Sequence, residues 1–258
     1  MNAERAVAYD SPDHLIPHGT ARDSSINFRF NHKIYDLYRA KFAAGDLKVM
    51  DLGCSGGGFV RSILDAGNLG VGVEGSDYSK KHKRAEWANI PDYLFTADIT
   101  KRFDVSDAGE ASQQNIKFDA ITMWEVLEHI PEADLTMLAD NIKRHLAPGG
   151  LWIVSIANYD YFVEGVNLHQ TVKPKDWWVK KFSDLGLTHI EEMLPYFGGH
   201  FVRGAREETE REFHLVLSAN RSAAPQVPEL PWNRKLFYRW ADSRVRRAIH
   251  RRLNLLEA

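Results

Sequence analysis

Two stretches of the sequence hold side chains whose types and spacing can do chemistry. In VMDLGCSGGGFV (49–60), Asp51 is followed by seven residues of which four are glycine. A strand that runs into a glycine turn and then a helix lets a ligand approach the backbone and aims the helix N-terminus at it. The glycines do not follow a G-x-G-x-x-G pattern, and no Lys-Ser/Thr pair is present to hold a nucleotide phosphate. In WEVLEHIP (124–131), Glu125, Glu128 and His129 stand at i, i+3 and i+4, which places all three on one face of a helical turn. A further histidine, His169, follows in NYDYFVEGVNLHQTV. Carboxylates and imidazoles brought together are groups that take up and release protons.

The elements that must position these residues alternate along the chain. LKVMDLG (47–53), LGVGVEG (69–75), DYLFTAD (92–98), FDAITMW (118–124) and LWIVSIA (151–157) are short apolar runs, each closing at or near Gly, Asp or Glu. They predict strands of a buried parallel sheet. GFVRSILDAG, SKKHKRAEWAN and EADLTMLADNIKRHL between them predict helices, the last stopping at APGG. Further on, KDWWVKKFSDLGL reads as a helix, THIEEML as a strand and FHLVLSA as the closing strand. The expected fold is α/β: a Rossmann-like, doubly wound, mostly parallel seven-stranded sheet with an antiparallel edge strand. Residues 1–46 are expected to form a helical lid through NFRFNHKIYDLYRAKF, residues 47–220 the main domain, and residues 221–258 a basic helical extension. Both chemical stretches then fall at carboxyl ends of strands, where such sheets bind ligands.

Composition narrows the classes. At 258 residues the chain suits one core, and a formal net charge of -2 gives no general reason to bind a polyanion. The single cysteine, Cys54, excludes an intrachain disulfide framework and a cysteine zinc site. No stretch reaches the roughly 20 apolar residues of a spanning helix, so a cytoplasmic setting is expected, with membrane contact only at the surface.

MDLGCSGGGF resembles motif I of the class I S-adenosylmethionine-dependent methyltransferases. GVEGSDYS, TADIT, FDAITMWEVLEHI and LAPGGLWIVSIAN extend the similarity, in the family's order, over about residues 45–190. The resemblance implies S-adenosylmethionine as cofactor and assigns roles residue by residue. Gly53 and Gly57 match the glycines that pass under the methionine part, with Cys54 and Ser55 in the same loop. Asp51 matches the carboxylate that orders this loop and the cofactor's amino group. Glu74 matches the acceptor of the ribose hydroxyls, and Asp98 with the Ile99 amide matches the adenine contact. Trp124 or Glu125 would lie near the transferring methyl. Ser55 departs from the D-x-G-x-G pattern at its second glycine. Any one acidic residue here could simply cap a helix, whereas three at successive strand ends beside a glycine loop point to the cofactor.

E-x-x-E-H with a later histidine also resembles the metal site of the terminal-ribose 2′-O-methyltransferases of small RNAs, and E-x-x-E-H resembles the ubiquinone-biosynthesis O-methyltransferases. The resemblance implies Glu125, Glu128, His129 and His169 as ligands of Mg²⁺ or Mn²⁺, or His169, Glu125 and His129 as catalytic groups without a metal. The reading favoured is an O-methyltransferase acting on a hydroxyl of a saccharide or glycosylated small molecule. A terminal RNA ribose and a quinone or phenol hydroxyl are the other enzyme readings, and a non-catalytic cofactor-binding scaffold is the reading from another class. Arg22, Asp23, Asn27 and Asn31 are candidates for gripping a polar acceptor. The basic C-terminal tail, with interleaved aromatics, suits packing or peripheral membrane contact before nucleic acid. Trp177 and Trp178 read as core.

Overall fold

The structure is a computed structural model and describes residues 2–3, 7–15, 25–39, 47–106, 115–229, 231–234 and 236. Seven strands form one sheet: β1 (Lys48–Leu52), β2 (Leu69–Glu74), β3 (Leu94–Thr96), β4 (Phe118–Trp124), β5 (Leu146–Ala157), β6 (Thr188–His189) and β7 (Glu212–Ser218). Their order is β6-β7-β5-β4-β1-β2-β3. β1 pairs in parallel with both β2 and β4, β2 with β3, and β4 with β5. β7 runs antiparallel between β5 and the short edge strand β6. The chain therefore winds outward from β1 to β3, then returns to start β4 on the other side of β1. That reversal opens a crevice at the carboxyl ends of β1 and β4.

Among the described residues, the longer helices that cover the sheet are α1 (Phe28–Tyr38), α2 (Gly58–Leu64), α3 (Leu135–His145) and α4 (Lys175–Asp184). The strands are buried on both faces, as their near-continuous apolar runs require. Met50, Val71, Ile121, Trp152 and Leu215 face one layer with Leu138 and Ile142 of α3 and Trp178 and Phe182 of α4. Val49, Ala120, Ile153 and Val216 face the other, with Phe30 and Ile34 of α1 and Phe59 and Ile63 of α2. Trp178 is fully buried and its ring stacks on Phe182 at 5.6 Å, so it is core, as read from the sequence.

Two expected elements differ. SKKHKRAEWAN is not one helix: a single turn at Tyr78–Lys81 and a 3-10 turn at Ala85–Ala88 are separated by left-handed backbone at Lys83 (φ 47°) and Ala85 (φ 46°). The break brings Trp87 under the glycine loop, where its indole N–H donates to the Ser55 carbonyl at 2.7 Å. THIEEML pairs only through Thr188–His189 before a 3-10 turn, Glu191–Met193, leads into the short helix Leu194–Phe197, with Pro195 near its start. α3 stops at His145, just ahead of APGG as expected, and that stretch opens β5, with a register shift between Phe118 and Ala120.

Of the lid candidates, Asn27 caps α1 by accepting from the Arg29 N–H at 3.1 Å and donates to the Phe201 carbonyl at 3.1 Å. Asn31 donates to Ser62 Oγ at 2.7 Å. Both hold helices to their neighbours rather than reach toward a ligand. Arg22 and Asp23 lie outside the described residues, as does the basic extension apart from residues 221–229, 231–234 and 236. Among the described residues no helix is long and apolar enough to cross a membrane.

Phe182 also meets Trp152 edge-on at 4.7 Å. Phe182→Ala opens a cavity between α4 and the sheet and is expected to cost about 3–5 kcal/mol of stability, read as a lower denaturant midpoint.

Candidate active site

The glycine loop leaves β1 at Asp51 and is tied to β2 at once, the Gly53 and Cys54 N–H groups both donating to the Val73 carbonyl at 2.8 and 3.2 Å. Gly53 has φ 75°, and a Cβ there would run into the Val126 side chain. Gly57 has φ 81° and caps α2, and a Cβ would meet Leu94 Cδ1 at 2.7 Å. Its positive φ and the Leu94 contact require glycine at this entry into α2. Ser55, where the family pattern has glycine, adopts the left-handed region (φ 47°). Its N–H donates to Glu74 Oε2 at 2.7 Å, so the residue is held in place on both sides of its peptide. Cys54 is buried, and burial with the nearby Glu74 and Asp51 carboxylates pushes its thiol well above the usual range; it is no nucleophile.

One cavity of about 730 Å³ opens over this loop. Asp51, Gly53, Cys54, Ser55, Glu74, Asp98, Ile99 and Trp124 of the expected cofactor set all line it. Asp51 is buried, accepts from Thr122 Oγ1 at 2.6 Å, and has its pKa pushed up to about 7 by burial, with the Glu74 charge adding to the rise. Glu74 also takes the Ser76 N–H at 3.4 Å, and burial raises its pKa. Asp98 holds the Thr100 N–H at 2.9 Å and its hydroxyl at 2.6 Å on one oxygen. Three carboxylates at successive strand ends thus rim a single space large enough for a nucleoside-sized ligand and more. Trp124 packs edge-on to Phe30 at 5.0 Å, and its buried indole N–H has no partner among the described residues.

The second chemical stretch lines the same cavity. The backbone turns left-handed at Glu125 (φ 54°), where its N–H donates to the carbonyl and hydroxyl of Ser155 at 3.1 and 3.0 Å. The helical turn begins only at Leu127, as the 3-10 segment Leu127–His129. Glu125, Glu128 and His129 therefore do not share the helical face expected from their spacing. Glu125 points instead to Arg203, Oε2 to Nη2 at 2.9 Å. Glu128, His129 and His169 do come together, with one ligand atom from each lying within 4.8 Å of the others. The Glu128 carbonyl accepts from the Gln170 and Thr171 N–H groups at 2.6 and 2.9 Å, which docks the His169 segment against the Leu127–His129 turn.

Each member of the trio has a distinct electrostatic state. Glu128 is fully buried; Oε1 accepts from the Ala157 N–H at 3.2 Å, Oε2 has no partner among the described residues, and burial pushes the pKa up to about 8. Burial draws His129 down, but the Asp13 carboxylate, with Glu128 and Glu125, outweighs it and leaves the pKa raised. The Asp13 contact, Oδ2 to Nδ1 at 2.7 Å, is an ion pair that holds this side of the ring. His169 is lowered by burial, and its Nδ1 is bonded to the Tyr159 carbonyl. A neutral ring with Nδ1–H donating to a carbonyl leaves Nε2 as a lone pair, the form that suits a base or a metal ligand.

Asp13, Tyr159, Tyr161 and Arg203 also line the cavity and were not singled out from sequence. Tyr159 and Tyr161 stand in the same stretch as His169, and their rings lie 5.4 and 5.6 Å from it. Their aromatic spacing before the histidine was the available signal; Asp13 and Arg203 offered none, because each reaches the site only through long-range packing.

Comparison with known proteins shows the family. Residues 25–208 match a family model described as a methyltransferase domain. The ubiquinone biosynthesis O-methyltransferase of Psychrobacter cryohalolentis is 31% identical over 124 residues, 46% of this chain and 44% of the relative. That of Mesorhizobium japonicum is 31% identical over 157 residues, 59% of this chain and 58% of the relative. The chain thus spans about half the length of the curated relatives it matches. Among solved structures, a TehB-like S-adenosylmethionine-dependent methyltransferase from Corynebacterium glutamicum superposes with a TM-score of 0.44 at 16% identity, covering 72% of this chain and 86% of that one. The magnesium protoporphyrin IX methyltransferase of Synechocystis with bound S-adenosylhomocysteine gives 0.45 at 15% identity, covering 80% and 92%.

The Asp51 carboxyl has a measurable signature. With its pKa raised from 3.8 to about 7, the folded protein holds a proton there that the unfolded chain has released. Stability from this group is therefore lost as pH rises between those values and is level above about 7. Asp51→Asn, measured by urea unfolding across that window, is expected to show a smaller decline with pH than the wild type.

Proposed function

The chain belongs to the S-adenosylmethionine-dependent methyltransferase family, and we propose that it is an O-methyltransferase acting on a phenolic hydroxyl that has a second oxygen beside it. The observation that carries the reading is the convergence of Glu128, His129 and His169 on the cavity rimmed by Asp51, Glu74 and Asp98. An oxygen acceptor loses its proton on methylation, so a site that pairs a sulfonium-sized cavity with a proton-accepting cluster suits oxygen.

Bound S-adenosylmethionine would supply a methyl group on a sulfonium, open to in-line attack. Glu74 and Asp98 would accept its ribose and adenine donors, and the buried Asp51 would face its amino end. Tyr159 and Tyr161 give aromatic faces beside His169, which would stack on an acceptor ring and hold its hydroxyl near Nε2. Without a metal, His169 would take the hydroxyl proton on Nε2, with Glu128 and His129 holding charge beside it. The trio also fits a divalent cation: two imidazoles and a carboxylate with an unpartnered oxygen, His169 being oriented through its other nitrogen by a backbone carbonyl. Mg²⁺ or Mn²⁺ held there would lower the pKa of the acceptor hydroxyl and fix its neighbouring oxygen.

The names of the ubiquinone-biosynthesis relatives support a phenolic acceptor over the saccharide expected from the sequence. A sugar remains the second reading, since the same two tyrosine rings would stack on its apolar face. A terminal RNA ribose fits less well, because Asp10, Asp13, Asp134 and Glu125 add negative charge to the cavity walls where phosphates would pass. A cofactor-binding scaffold without catalysis would have no use for an assembled Glu128–His129–His169 cluster.

His169→Ala and Glu128→Gln test the cluster with a catechol and a vicinal-diol sugar as acceptors. Each variant is expected to bind S-adenosylhomocysteine as the wild type does while kcat falls by about 10²–10⁴-fold. Wild-type turnover in both would remove the cluster from the chemistry.

A further inference from the structure

Asp13, which lies outside the family match, is in direct contact with the cluster through His129. It lies in a segment, residues 7–14, that precedes the matched residues 25–208 and runs along the cavity wall. The segment is fastened at the cofactor end, where the Ala8 N–H donates to the Gly75 carbonyl at 3.0 Å, just beyond Glu74. It folds back on itself through Ser11 N–H to the Ala8 carbonyl and His14 N–H to the Ser11 carbonyl, both 3.0 Å, with the Tyr9 ring edge-on to His14 at 4.9 Å. Its other fastening is the Asp13–His129 ion pair of 2.7 Å. The strap thus touches both halves of the site, the end of β2 and the imidazole of the cluster.

Two further observations bear on that pair. Glu125, the first carboxylate of E-x-x-E-H, is drawn off the cluster by its left-handed backbone and engages Arg203. Glu128 is fully buried with Oε2 unpartnered beside the two histidines. A divalent ion among Glu128, His129 and His169 would meet one carboxylate from the motif, and the second carboxylate at this spot comes from Asp13. We propose that Asp13 is a positioning residue for this site: it holds the His129 ring through Nδ1 and supplies, from the N-terminal strap, the acidic side chain that Glu125 does not.

The inference rests on the proposed reading of the cluster as a divalent-cation site. Metal-bound imidazoles are oriented by a carboxylate or carbonyl on their other side, and removing that partner weakens binding about 10–100-fold. His169 has the Tyr159 carbonyl for this purpose; His129 has Asp13.

The test titrates Mn²⁺ calorimetrically into the full chain saturated with S-adenosylhomocysteine. Asp13→Asn is expected to weaken Mn²⁺ about 10–100-fold, Asp13→Glu to recover part of the loss, and Glu125→Gln to change affinity far less. Separate titration of S-adenosylhomocysteine checks that each variant keeps its cofactor cavity. Unchanged Mn²⁺ affinity in Asp13→Asn, or a loss confined to Glu125→Gln, overturns the assignment. Absence of Mn²⁺ binding in the wild type would sink the metal part of the proposed function instead. Asp13 is then judged by the ¹⁵N resonances of the His129 ring: a shift in Asp13→Asn supports its hold on Nδ1, and an unmoved Nδ1 signal overturns it.

Discussion

Parallel pairing of β1 with β2 on one side and β4 on the other is the constraint from which the site follows. Because these strands run the same way, their last residues arrive at one edge of the sheet, and what they carry there is acidic or aromatic: Asp51 after Met50, Glu74 at the end of β2, Trp124 at the end of β4. β3 brings Asp98 to the same edge two residues beyond its end. No long-range electrostatic attraction gathers these carboxylates; they would repel one another in a compact site. They are held together by the apolar interiors of their strands, buried on both faces, and by hydrogen bonds such as Thr122 to Asp51 and Ser55 N–H to Glu74. Two of the three sit with pKa values raised by burial, a cost borne by the fold that leaves the cavity prepared for a ligand carrying donors and positive charge.

The acceptor side depends on a different feature, the left-handed turn at Glu125. Two hydrogen bonds to Ser155 fix that turn and send the following residues over the cavity as a 3-10 segment. Glu128 and His129 thereby face His169, which is delivered by the chain after β5 and locked by the Glu128 carbonyl. The same turn sends Glu125 toward Arg203. One backbone conformation accordingly decides which of the two motif carboxylates belongs to the cluster.

This division explains what was legible in the sequence. The strand-end residues could be read because each is a single position after an apolar run of period two or a continuous buried run, and the parallel topology does the rest. Convergence of His129 with His169 was legible for the same reason. The shared face of Glu125, Glu128 and His129 was not, because helical spacing says nothing about a residue whose φ is positive. The break at Lys83 and Ala85 escaped notice likewise: SKKHKRAEWAN has good helix formers, but the demand of Trp87 for the Ser55 carbonyl overrides local propensity. Gly57, expected in the ligand loop, is also required as glycine by Leu94 and Glu86 beneath it, which the sequence did not reveal. Asn27 and Asn31 looked like ligand donors and are spent on α1. Asp13 carried no sequence signal, since a lone Asp after Pro in a short helical turn acquires meaning only from a contact 116 residues away.

The proposed function requires that the cavity and the cluster work as one site for methyl transfer to oxygen. The most direct measurement is a single-turnover reaction of the protein with ¹³C-methyl-labelled S-adenosylmethionine and a catechol carboxylate in the presence of Mg²⁺, followed by carbon NMR of the product. The expected result is a labelled methyl in the O-methyl region and one equivalent of S-adenosylhomocysteine. Label found on carbon or nitrogen, or cofactor bound and recovered intact with every phenolic and sugar acceptor supplied, would contradict it.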